Sequence, residues 1–101
     1  MEGPTANKVQ VKFFGDIGGA AGKTAGEVPL PPDATVYGLM AELAGVYGEE
    51  FRDQLFDGAG KLRDDVTVAV NSAIIDREKI RDISLNPGDI VSFFPIFPGG
   101  G

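Results

Sequence analysis

Apolar and polar positions alternate early in the chain, with Val9, Val11 and Phe13 set between Gln10, Lys12 and Phe14. A period of two predicts a strand whose core face carries the valines and Phe13. Phe14 falls on the other face, among polar residues, which is an unusual place for a large aromatic. Gly15 to Lys23 is rich in glycine and alanine and reads as a turn or loop. Thr24 to Leu30 reads as a second strand returning as a hairpin, ended by the extended Pro31-Pro32 pair. Thr35 has the side chain to cap a helix N-terminus. Val36, Leu39, Met40, Leu43 and Tyr47 follow at helical spacing, with Val46 beside them, and predict the main helix. Gly38 and Gly45 weaken that helix by about 1 kcal/mol each relative to alanine, and close packing against a sheet would explain them.

Phe51 to Phe56 predicts a short second helix with Phe51 and Leu55 inward, followed by the turn-rich Asp57-Gly58-Ala59-Gly60-Lys61. Val66, Val68 and Val70 alternate again as a third strand; Asn71-Ser72 is a turn and Ile74-Ile75 a short strand. Asn86-Pro87-Gly88-Asp89 is a strong turn signal before the last strand, Ile90 to Phe94. The predicted class is α+β, one sheet with one main helix and a short second one.

Composition narrows the chemistry. The chain has 101 residues, the size of one domain, and an apolar fraction of 43% that supports an ordinary core. Residues 1–7 are small and polar and are expected to be a flexible N-terminus, with the folded domain spanning 8–94 and an extended tail 95–101. The formal charge of -6 argues against nucleic-acid or acidic-membrane binding and for docking on a basic partner. With no cysteine and no histidine, thiolate metal sites, cysteine nucleophiles and the commonest general base are excluded. A self-sufficient hydrolase or transferase is not expected. No apolar run approaches the roughly 20 residues that span a bilayer, and the start lacks the basic and apolar regions of a signal peptide, so a cytoplasmic location is expected.

Three motifs invite a site. Gly18 to Thr24 reads Gly-Gly-Ala-Ala-Gly-Lys-Thr, close to a phosphate-binding loop. That loop needs glycine where Ile17 stands, and an amphipathic helix after the lysine that this sequence lacks, so a plain hairpin loop is the reading. Asp57 to Asp65 fails the spacing of a calcium loop, and Glu49-Glu50 has no apolar setting to make an acid/base pair; both read as solvated surface. Phe14, Ile74 and Phe94 are candidates for an exposed apolar patch, with ordinary core as the alternative. The chain ends Phe97-Pro98-Gly99-Gly100-Gly101. Such an ending is either a side-chain-poor reactive tail able to thread a narrow channel, or an inert linker-like end.

The ordered set of segments resembles a known family. Lys12-Phe13-Phe14, Ala20-Ala21-Gly22-Lys23, Leu62-Arg63 with Val68-Ala69-Val70-Asn71, Pro87-Gly88-Asp89-Ile90-Val91, and Phe93-Phe94-Pro95 running to a glycine end are similar to the ubiquitin-like sulfur carriers. The likeness is greatest to the small subunits of molybdopterin synthase and weaker to the thiamine-pathway carrier. It implies a β-grasp fold. It implies that a ubiquitin-activating-type adenylyltransferase, using ATP, activates the terminal glycine carboxylate and that sulfur then replaces AMP. The carrier would next insert its tail into the large subunit of molybdopterin synthase, which builds the dithiolene that holds molybdenum or tungsten. No cofactor is expected to stay bound to the carrier itself.

Residue by residue, the resemblance places the reactive carboxylate at Gly101, or at Gly100 if the chain is trimmed, because relatives reach their terminal glycine pair at the positions of Gly99-Gly100. It places partner contacts at Phe14, Ile74, Phe94, Pro95 and Gly99. Asn71-Ser72 stands where relatives commonly have Asn-Gly. Other readings remain: a carrier for cysteine, thiamine or tungsten-cofactor synthesis, a modifier conjugated to lysines, or an interaction domain with an inert tail.

Overall fold

The computed structural model describes residues 7–31 and 33–96. The element order is β1 (Asn7–Phe13), α1 (Asp16–Ala21), β2 (Ala25–Leu30), α2 (Val36–Tyr47), α3 (Glu49–Leu55), β3 (Val66–Val70), β4 (Ala73–Ile74) and β5 (Ile90–Pro95). A single 3-10 turn, Arg77–Lys79, precedes β5. The strands form one sheet in the order β2-β1-β5-β3-β4, with β1 parallel to β5 and the other neighbours antiparallel. This mixed sheet with helices on one face is the expected α+β, β-grasp arrangement.

The alternation in the strands decides what is buried. Val9, Val11 and Phe13 of β1, Val66 and Val68 of β3, and Val91 and Phe93 of β5 all join the core. Val36, Leu39, Met40 and Leu43 of α2 and Phe51 and Leu55 of α3 meet them from the helical side. At the centre, the Phe13 ring lies edge-on to Phe51 at 5.3 Å and to Tyr47 at 5.8 Å, and stacks with Phe93 at 5.9 Å.

The N-terminus of α2 is doubly satisfied. Thr35 accepts from the Gly38 N–H at 3.1 Å, as its residue type predicts. The segment before β5 takes two further donors: Val36 N–H donates to the Ile83 carbonyl at 3.0 Å and Tyr37 N–H to that of Ile80 at 2.9 Å. Buried Ile80 and Leu85 anchor that segment.

Several expectations are corrected. Gly15 to Lys23 is not a plain loop, because residues 16–21 form α1. The helix owes little to propensity, which its glycines oppose. Ile17 is fully buried, and the glycine at position 18 lets the helix lie against β1. A Cβ there would meet the Phe13 and Lys23 carbonyl oxygens at 3.2 and 3.3 Å. Gly22, at φ +78°, ends the helix in the left-handed conformation. The fold therefore has two short helices beside the main one.

Gly38 and Gly45 are not explained by close packing. Nothing lies within 4 Å of a Cβ built on Gly45, and Gly38 meets only the Thr35 hydroxyl at 3.6 Å. Asp57 to Asp65 is a mostly exposed connection, in line with its reading as solvated surface, and it is tied from within. The Asp57 carboxylate accepts from the N–H groups of Ala59 and Lys61 at 2.8 and 3.0 Å, and Leu62 is buried. Element ends shift by a residue or two, as hydrogen-bonded boundaries commonly do. Thr24 and Ile75 lie outside their strands, α3 starts at Glu49, and β5 runs on through Pro95.

A candidate docking face beside the last strand

The face of the sheet away from the helices carries the other set of alternating residues. Lys8, Gln10 and Lys12 of β1 point there, opposite Pro29, Glu27 and Ala25 of β2. Phe14, one residue beyond β1, continues the same side. Its N–H donates to the Phe93 carbonyl at 3.1 Å, which brings it beside Phe94 of β5. The two rings stack with centroids 4.5 Å apart and planes 12° from parallel. Phe14 keeps 42% of its surface exposed and Phe94 is half-buried. The pair is an apolar platform held together by its own contact and open on one side.

Ile74 belongs to the same face. Phe94 pairs with Thr67 in β3, Ser92 with Ala69, and Ala69 with Ile74 in β4. Two strand spacings and one step along the strand put Ile74 about 12 Å from Phe94. Ile74 is 74% exposed. Its position is fixed by the Asn71-Ser72 turn, whose residues have φ of 52° and 76°. Asn71 ties this turn to the foot of β5: its amide donates to Asp89 and its oxygen accepts from the Ile90 N–H, both at 2.9 Å. Asp89 in turn accepts from the Asn86 N–H at 2.8 Å.

Pro95 ends β5 opposite core-facing Val66 and so turns toward the helix side, away from this face. Beside Phe14 a hollow of about 450 Å³ is lined by Lys12, Phe13, Phe14, Gly15, Thr24 and Ala25. Phe14, Ile74 and Phe94 thus lie on one side of the sheet, whereas Pro95 alternates to the other. Gly99, Gly100 and Gly101, with the rest of the tail after Ile96 and the N-terminal residues 1–6, lie outside the described residues.

Charge is distributed in a way the net value of -6 hides. Among the described strand residues Glu27 is the one acid, and it shares the outer face with Lys8 and Lys12. The acidic excess lies on helices and loops, so the apolar face itself is not acidic. The titratable groups with shifted pKa lie elsewhere, in the 57–65 loop. Arg63 grips Asp65 through bonds of 2.9 and 3.1 Å and holds its carboxyl below the usual range. The N–H groups of Lys61 and Ala59 do the same for Asp57.

A second hollow, of about 290 Å³, lies between Tyr37 and the loops around Lys61 and Arg77. Its two arginines are already engaged. The Arg77 guanidinium donates to the carbonyls of Leu62, Arg63, Asp64 and Val66, at 3.4, 2.8, 3.4 and 2.9 Å. Arg81 lies over the Tyr37 ring at 3.8 Å. Sequence reasoning missed this cluster, because a side chain that gathers carbonyls from a distant loop leaves no local pattern. Among the described residues there is no group of three or more metal-ligating side chains, and no helix is long and apolar enough to cross a membrane.

The sheet order and the helices packed on one face define a ubiquitin-like β-grasp domain. The sequence profile of the ThiS family matches residues 11–100, and the chain belongs to that family of ubiquitin-like sulfur carriers. Solved structures agree. SAMP1 of Haloferax volcanii is 26% identical with a TM-score of 0.80, the match covering 92% of this chain and 99% of that one. Urm1 of Trypanosoma brucei is 30% identical at TM-score 0.74, covering 96% and 99%. A molybdopterin converting factor subunit 1 of Pyrococcus furiosus is 31% identical at TM-score 0.68, covering 89% and 98%. A search of the curated proteins found no match.

Proposed function

We propose that this chain is a sulfur carrier whose C-terminal glycine, Gly101 (or Gly100 after trimming), is activated by a ubiquitin-activating-type adenylyltransferase and converted to a thiocarboxylate. The observation that carries the reading is the open Phe14–Phe94 platform, which lies on the same strand, β5, that leads into the glycine-ended sequence. A partner seated on that face would hold the domain within a few residues' reach of its own active centre. Catalysis then comes from positioning: the carrier supplies a tethered reactive group, and the partner supplies the acid, base and ATP.

The chemistry balances without a residue the chain lacks. A glycine carboxylate is a poor electrophile. Its oxygen attacks the α-phosphorus of ATP, pyrophosphate leaves, and an acyl adenylate results. A hydrosulfide equivalent then adds to the acyl carbon and expels AMP, and the product loses a proton to give the thiocarboxylate. With no cysteine in the chain, the sulfur comes from a separate donor.

For the destination of the sulfur we propose molybdopterin synthesis, with the synthase large subunit as the second partner and the cytoplasm as the place of work. The likeness to the Pyrococcus furiosus converting factor supports this. The second reading, conjugation to lysines of other proteins, is supported by the SAMP1 likeness, since that relative is described as a small archaeal modifier protein. Both readings require activation of the terminal glycine.

The test is the intact mass of the chain after incubation with the adenylyltransferase of its source organism, ATP and sulfide. A gain of one oxygen-to-sulfur exchange, mapped to the last glycine, is expected. Its loss in a variant lacking Gly100 and Gly101 is expected too. Full sulfur incorporation in that truncated chain would refute the mechanism. Isopeptide-linked conjugates in extracts, without transfer to a pterin precursor, would move the destination to protein modification.

A further inference from the structure

The end of β5 is held from both sides just where the tail begins. On one side is Gly15, with φ +61° and ψ -141°, a region that residues with a side chain essentially do not occupy. A Cβ at Gly15 would stand 2.6 Å from Cγ of Pro95, well inside any real contact. The missing side chain is therefore a notch that admits the proline ring. On the other side the Ile96 N–H donates to the Asp65 carbonyl at 2.7 Å. Asp65 sits in the segment whose carbonyls Arg77 gathers.

These contacts adjoin the apolar platform. Phe14 and Gly15 are consecutive, as are Phe94 and Pro95, so the stacked pair and the notch are one unit two residues deep on each chain segment. The pleat turns Pro95 to the helix side, so the notch backs the platform from behind and leaves the rings themselves free. The five residues after Ile96 span at most about 17 Å when fully extended. Misplacing the reacting carboxylate by even about 1 Å costs large factors in rate.

We propose that Gly15 is a positioning residue for the tail reaction: by admitting Pro95 it fixes the direction in which the chain leaves the sheet relative to the docking platform. The proposal rests on the sulfur-carrier reading above. Gly15 touches neither ATP nor the reacting carboxylate; it acts through Pro95.

The test is steady-state adenylation and thiocarboxylate formation with the purified adenylyltransferase, ATP and sulfide. Gly15→Ala should lower kcat by about tenfold or more while KM for the carrier stays within about twofold, because the platform is intact and only the reacting geometry has moved. Adding Pro95→Ala should relieve the clash, so that the double variant's kcat lies within about threefold of that of the Pro95→Ala chain. Thermal melts report whether each variant folds. If Gly15→Ala does not, Pro95→Phe presses on the notch from the other side and should give the same loss in kcat.

An unchanged kcat in the folded Gly15→Ala or Pro95→Phe chain would overturn the proposal. So would a loss that Pro95→Ala does not relieve, since the cause would then be backbone strain at position 15. A wild-type chain that gains no sulfur contradicts the carrier reading itself and this proposal with it. A reactive wild type beside a fully active Gly15→Ala contradicts this proposal alone.

Discussion

Two pairs of phenylalanines sit back to back across the sheet, and they differ in everything but residue type. Phe13 and Phe93 face the helices, are essentially fully buried, and stack at 5.9 Å inside a cluster with Phe51 and Tyr47. Phe14 and Phe94, their immediate neighbours in sequence, turn to the open face and stack at 4.5 Å with one side uncovered. The pleat alone separates them, since consecutive strand residues point to opposite faces. The inner pair is held by many neighbours and stabilises the fold. The outer pair has its own partner ring and little else, so its exposed area is available to another molecule. A repeated Phe-Phe at the ends of adjacent parallel strands thus builds core and contact surface from the same two steps of chain.

That contrast is open to disruption. Phe93→Ala should cost about 3–5 kcal/mol in denaturant unfolding, because it leaves a cavity beside Phe13. Phe14→Ala should cost only about 1 kcal/mol, the value of an exposed stacked pair. Equal losses at the two positions would contradict the division of labour. Next in size is Arg77→Ala, which removes a charged donor from the carbonyls of the 62–66 segment and should cost about 2 kcal/mol by thermal or chemical melt. A change below about 0.5 kcal/mol would show that water replaces those bonds.

Two substitutions should stabilise. Gly45→Ala fills open space on an exposed helix position and should add about 1 kcal/mol. Ser72→Gly should add about 1 kcal/mol by releasing a serine from φ 76° in the hairpin that presents Ile74. Neither should alter partner affinity in calorimetry, because neither touches the Phe14–Phe94 platform.

The smallest effect is on pH dependence. Asp57 and Asp65 have pKa values below the ordinary carboxylate value, so they favour the folded state when ionised. Their contribution is present above the unfolded carboxylate value and is lost as pH falls below it toward the folded one. The double variant Asp57→Asn, Asp65→Asn should flatten the acid limb of the melting curve, while an unchanged limb would assign acid sensitivity to other groups.

Much of this was legible in sequence, for identifiable reasons. Alternation in Val9 to Phe14 and Val66 to Val70, and helical spacing from Val36 to Tyr47, report burial directly, and the structure follows them. The odd face of Phe14 was also readable from period two. Its stacking on Phe94 was not, because that needs β1 beside β5, a pairing that adjacency along the chain does not give. The α1 helix was hidden because its glycines suppress helical pattern, and it forms through the burial of Ile17 and Gly18. Gly15 against Pro95 and Arg77 against the 62–66 carbonyls are contacts between distant segments and have no local signature.

The account turns on whether the outer pair leads the terminal glycine to its activating enzyme. The most direct measurement is intact mass of wild type and Phe94→Asp side by side, with limiting adenylyltransferase, ATP and sulfide, and with melting curves of both. The account predicts one oxygen-to-sulfur exchange at the last glycine of wild type, little or none in Phe94→Asp at the same concentration, and a Phe94→Asp chain that is still folded. Equal exchange in both chains, or none in wild type with a competent enzyme present, would contradict it.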